Sequence, residues 1–70
     1  MKLWIARDEN NELWIFDKKP ILVPKDENYN YGFFDLGKDG EWNNKLNASL
    51  FPEVTFGNSP KEVEIKIIEK

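Results

Sequence analysis

Apolar residues recur at alternate positions in short runs, and turn chemistry separates the runs. Leu3–Arg7 and Leu13–Phe16 are rich in Trp, Ile and Leu and enclose Asp8-Glu9-Asn10-Asn11. Asp suits the first position of a type I turn, and Asn tolerates a positive φ near its end. A three-residue loop with a bulge sets Asp8 opposite Glu12, Ile5 opposite Ile15 and Trp4 opposite Phe16. One face of the ribbon then carries Leu3, Ile5, Leu13 and Ile15, and the other Trp4, Ala6, Trp14 and Phe16. A slip of one residue would exchange these sets. Both faces are apolar, so the pattern predicts a hairpin that is central or covered on both sides.

Asp17-Lys18-Lys19-Pro20 ends this pattern, and Pro20 and Pro24 fence Ile21-Leu22-Val23. Proline donates nothing to a ladder, so this run reads as an edge strand or an extended loop. Lys25–Asn30 reads as a polar surface loop and Tyr31–Leu36 as a third strand. Gly37-Lys38-Asp39-Gly40 reads as a second turn with a bulge, Gly40 taking the positive φ and Trp42 returning beside Leu36. Leu46, Leu50 and Phe51 have helical spacing ahead of Pro52, which predicts at most one short helix or 3-10 turn near residues 46–51. Val54-Thr55-Phe56 is β-prone, and Gly57–Pro60 is a turn. In the last segment Ser59-Pro60-Lys61-Glu62 resembles a helix start. Val63, Ile65 and Ile67 alternate with charged residues, however, and period two with β-branching favours a strand. The fold expected is mainly β: a single domain over residues 1–70, as a small antiparallel sheet or partly open barrel built from hairpins.

A chain of 70 residues has a small core, and such domains commonly need a staple. Cys and His are both absent, which removes disulfides and the usual zinc ligands. Three Trp, two Tyr and five Phe offer cohesion instead. Net charge is −3. It is uneven: residues 26–56 hold six acidic against two basic groups, and no stretch is strongly basic. A phosphate-binding surface needs clustered Lys and Arg, so nucleic acid is disfavoured as a partner. The first apolar run meets charge too early for a signal peptide, and no stretch approaches the length of a membrane span, so a cytoplasmic protein is expected.

Three stretches together resemble a known family. They are Leu3-Trp4-Ile5-Ala6-Arg7-Asp8 with Leu13-Trp14-Ile15-Phe16, then Lys19-Pro20, then Leu50-Phe51-Pro52-Glu53-Val54-Thr55-Phe56 with Asn58-Ser59-Pro60 and Glu62-Val63-Glu64-Ile65. The pattern is similar to that of short uncharacterised proteins of anaerobic gut bacteria and their phages or mobile elements. It covers both ends of the chain, and residues 25–49 lie outside it. The resemblance implies a small stand-alone cytoplasmic protein and carries no catalytic or ligand-binding residue with it.

The residues offer little for catalysis. No His or Cys supplies a general base or nucleophile, and Ser59 serves better as a turn residue before Pro60. Paired carboxylates remain as the only route to an enzyme, and 13 acids on a small surface form pairs by chance. Asp35, Asp39 and Gly40 match three positions of a calcium loop, but Gly37 and Leu46 occupy positions that need oxygen ligands, so a hairpin turn is the better reading. Asn47-Ala48-Ser49 fits a glycosylation sequon without a secretory context. No metal or cofactor is expected.

Aromatic placement and strand edges carry the functional expectations. Trp4, Trp14 and Phe16 read as core because they alternate in strands, whereas Tyr29, Tyr31 and Trp42 sit among polar and glycine-rich neighbours and are the candidate ligand contacts. Glu62, Glu64 and Lys66 read as charges that guard an edge. The leading expectation is a non-catalytic protein–protein interaction or self-association module, a homodimer or a host-protein binder, working through a sheet edge or apolar face. The alternative is an aromatic ligand-binding module for sugar or single-stranded nucleic acid. A carboxylate enzyme ranks third.

Overall fold

A computed structural model describes residues 1–66. It contains six strands: β1 (Lys2–Arg7), β2 (Leu13–Phe16), β3 (Ile21–Val23), β4 (Phe33–Asp35), β5 (Asn43–Leu46) and β6 (Lys61–Glu64). Four form an antiparallel sheet in the order β5-β2-β1-β6, and β3 pairs antiparallel with β4. The fold is mainly β and is not a closed barrel, and the described residues include no helix.

The β1–β2 hairpin follows from its turn residues. Asn11 adopts φ 78° and donates its amide to Asp8 O at 2.9 Å, while Asp8 N donates to Glu12 O at 2.8 Å. This is the type I turn with a bulge, and it sets Trp4 opposite Phe16, Ile5 opposite Ile15 and Ala6 opposite Trp14. Alternation then divides the ribbon as its sequence predicts. Ile5 and Leu13 pack with Val54, joined by Ile15, Leu46 and Val63. On the reverse face Ala6 and Phe16 pack with Phe34, joined by Trp4, Trp14, Leu36 and Phe56. Each large buried side chain contributes on the order of 1.5–3 kcal/mol. The loop after β5 covers the first face and the β3–β4 pair covers the second, so this chain covers both sides of its own hairpin.

Three expectations change. Gly37–Gly40 does close a turn, with Gly40 N donating to Gly37 O at 2.9 Å, but no glycine takes a positive φ. Trp42 does not return beside Leu36. The Asp17 carboxylate accepts the amides of Glu41 and Trp42 at 3.1 and 3.3 Å, which delivers the chain to the free edge of β2, where β5 pairs. A Cβ at Gly37 would lie 2.5 Å from the Lys19 carbonyl oxygen, so glycine permits the close approach that turns β4 toward β3. Residues 46–51 form the end of β5 and a turn, which meets the expectation of at most one short helix or 3-10 turn there, with Leu50 N donating to Asn47 O at 3.0 Å. Val54–Phe56 is not a strand. At the C-terminal end period two prevails over the capping pattern: β6 is a strand, and Ser59 is a turn residue whose hydroxyl donates to Thr55 O and accepts Arg7 N. Ile67 and the three residues after it lie outside the described residues.

Arg7 explains why residues 46–51 are not helical. It is buried, and all five of its N–H groups donate to backbone carbonyls. Nε reaches Val54 O at 2.6 Å, Nη1 reaches Asn11 O and Ala48 O at 3.0 Å each, and Nη2 reaches Leu50 O at 2.9 Å and Phe51 O at 3.1 Å. A helix would aim those carbonyls along its own axis. The convergence holds Phe51 at φ 48°, a left-handed conformation that is unfavourable for a bulky residue. Arg7→Lys keeps the charge and offers at most three donors. We expect it to lower stability by about 2–4 kcal/mol in urea unfolding. A variant within 0.5 kcal/mol of the parent would show that the carbonyl cluster contributes little.

Candidate functional site

The two acids that open the hairpin turn build the site. Asp8 follows Trp4 and Ala6 in parity, so its side chain turns to the aromatic face and is only 5% exposed. Its Oδ1 accepts the Phe34 amide at 2.8 Å. Glu9 bonds Gly32 both ways: Glu9 N donates to Gly32 O and Glu9 Oε1 accepts Gly32 N, each at 2.9 Å. These contacts fasten residues 32–34 to the turn and set the aromatic residues before them at its side. Tyr29 and Tyr31 both pack edge-on to Phe33, with ring centroids 5.2 and 6.1 Å away. Asp26 shapes the approach, its Oδ1 accepting the amides of Asn28 and Tyr29 at 2.7 and 3.1 Å.

The result is a cleft of about 420 Å³. Tyr29, Tyr31 and Phe33 line it together with Asn28 and Asn30. Phe34, Trp14, Asn43 and three acidic residues, Asp8, Glu12 and Asp35, complete the lining. Among the described residues no Lys or Arg lines it. Lys45 reaches Glu12 at 3.5 Å from outside, an exposed pair of small weight. The Trp14 indole Nε1 is buried beside the Asp8 carboxylate and completes no hydrogen bond. Burial raises the Asp8 carboxyl above its ordinary value, and the charges of Glu12 and Asp35 push the same way; the Phe34 amide opposes them.

The structure brings Tyr29 and Tyr31 together and separates Trp42 from them. Trp42 is 40% exposed but lies where Asp17 holds the start of β5, and it does not line the cleft. Trp14 lines the cleft and also packs in the core. The acidic members escape a reading by turn chemistry alone. Parity along β1 was the available signal for Asp8, because it continues the inward face of Trp4 and Ala6. The carboxylates share the cleft without converging: among the described residues no group of three or more acids is placed to hold a metal ion. No helix of the described residues is long and apolar enough to cross a membrane. No family model, curated protein or solved structure matches the chain.

The Asp8 shift has a definite sign. A carboxyl whose folded pKa is raised stabilises the fold while protonated, and that contribution is lost as pH rises through the folded value. Asp8→Asn keeps an oxygen for the Phe34 amide and has no charge to bury. The melting temperature of the variant minus that of the parent should therefore rise from pH 3.5 to pH 7. A difference that falls over this range would mean that the fold favours the ionised form.

Proposed function

We propose that this chain is a non-catalytic binding module that takes a small ligand into the cleft between Tyr29, Tyr31 and Asp8. The carrying observation is the exposure of Tyr29 and Tyr31, 45% and 38%, against a pre-formed polar and aromatic hollow. Large rings left half in water beside a concave surface supply contact area at low entropic cost. A carboxylate enzyme is less well supported, because the acid with the raised pKa is sunk beneath the surface and held by a backbone amide. The reading assumes a cytoplasmic protein with no nucleic-acid partner, and the acidic lining argues against a phosphate backbone in the cleft.

A fragment screen by protein-observed NMR tests this. Binders should shift the amides of residues 28–35, Tyr29→Ala should weaken them about tenfold, and Trp42→Ala should leave them unchanged. Fragments that collect around Trp42, or a probe that is hydrolysed during the titration, would overturn the proposal.

Self-association is a second reading, carried by Leu22, which is 50% exposed on β3. Pro20 and Pro24 flank that strand, so a partner would meet its face in preference to its edge. Sedimentation should then show the 8.3 kDa chain doubling in mass with concentration and Leu22→Lys abolishing the change. A constant monomer mass at millimolar concentration would remove this reading.

A further inference from the structure

Asp8 is a buried acid for which the described residues supply no counter-charge. It is 5% exposed, its single side-chain hydrogen bond is the Phe34 amide, and no cation pairs with it among the described residues. The acids that line the cleft with it, Glu12 and Asp35, have the same sign. Burying an ionised carboxylate without a partner is costly, and folds ordinarily answer it with a paired cation or a metal. Neither is at hand within the described residues, since Arg7, next in sequence, turns to the opposite face and gives every donor to carbonyls.

The rest of the cleft suits a cation. Tyr29, Tyr31 and Phe33 line it, and aromatic faces attract ammonium and guanidinium groups through their quadrupoles. Low-dielectric walls lined by one sign of charge focus the field on the space between them, so direct contact with the sunken Asp8 is unnecessary. A neutral sugar would use the rings and amides and leave the net charge of the cleft unanswered. An oligonucleotide would bring anions to three carboxylates.

Resting on the cleft reading above, we infer that the ligand is an organic cation: an alkylammonium or guanidinium group seated on Tyr29 and Tyr31 and held by the field of Asp8, Glu12 and Asp35. Such a group comes from a free amine or from a Lys or Arg side chain of a peptide, and the chemistry is the same for both.

The test is an NMR titration of the whole chain at pH 7 and low salt. The probes are n-butylammonium, tetramethylammonium, arginine amide, a capped Gly-Lys-Gly peptide, methyl glucoside and an eight-nucleotide thymidine oligomer. The cations should shift residues 28–35 and the Trp14 indole N–H, and the shifts should weaken in 0.5 M salt. Asp8→Asn should lower affinity about tenfold, and Asp35→Asn, an exposed position that does not threaten folding, about threefold. A peptide that binds more tightly than butylammonium identifies a protein side chain as the source; the reverse order identifies a free amine. Methyl glucoside or the oligomer binding in the cleft while the cations do not would overturn the inference and leave the cleft reading standing. Cation binding that both Asn variants leave unchanged would also overturn the inference. If no probe perturbs residues 28–35, both the inference and the cleft reading fall.

Discussion

The five-fold donation from Arg7 organises this fold. A guanidinium fixed at the end of β1 gathers carbonyls from the hairpin turn and from the loop that follows β5. That loop has no ladder of its own, and its backbone acceptors would otherwise lie against an apolar sheet face. Charge-assisted hydrogen bonds are roughly twice as strong as neutral ones, and five from one side chain give irregular backbone a single anchor. The same contacts carry Val54 onto Ile5 and Leu13, which seals the face opposite the cleft. A domain without disulfide or zinc ligands thus acquires an internal staple made of one side chain.

Arg7 and Asp8 are consecutive and opposite in charge, yet they do not neutralise one another. Pleating sends them to opposite faces. Arg7 finds carbonyl dipoles, which complete its coordination. Asp8 finds a backbone amide and a hollow, and no cation among the described residues pairs with it. One side of the sheet is therefore electrostatically finished and the other is not. That asymmetry is the ground on which we propose the cleft, and not the Arg7 cluster, as the ligand site.

Much of the strand pattern was legible in the residues. The hairpin register followed from Asp8 at the turn start, Asn11 with its tolerance for a left-handed backbone, and period-two alternation on either side. Alternation also identified β6 against a competing helix-start motif. What could not be read was decided by partners distant in sequence. Residues 41–42 look like the return arm of a hairpin until the Asp17 carboxylate takes their amides. The spacing of Leu46, Leu50 and Phe51 looks helical until Arg7 claims the intervening carbonyls, and carbonyls leave no mark on a sequence. For the site, Tyr29 and Tyr31 were legible because large rings among polar neighbours are conspicuous. Trp42 met the same criterion and lies elsewhere. Asp8 looked like a turn residue because it is one, and its second role lay in its parity along β1.

The order β5-β2-β1-β6 gives the strands unequal histories. The β1–β2 hairpin closes over a short loop and can form within microseconds, whereas β6 reaches β1 only after a much longer stretch has found its place. Until then one backbone edge of β1 lies open beside Leu3 and Ile5, an invitation to intermolecular pairing. Lys2, exposed at the start of that strand and bridged to Glu62 at 3.7 Å once β6 docks, sets a charge on this edge during the interval. A modest surface ion pair can therefore matter more to how cleanly the chain folds than to how stable it is afterwards.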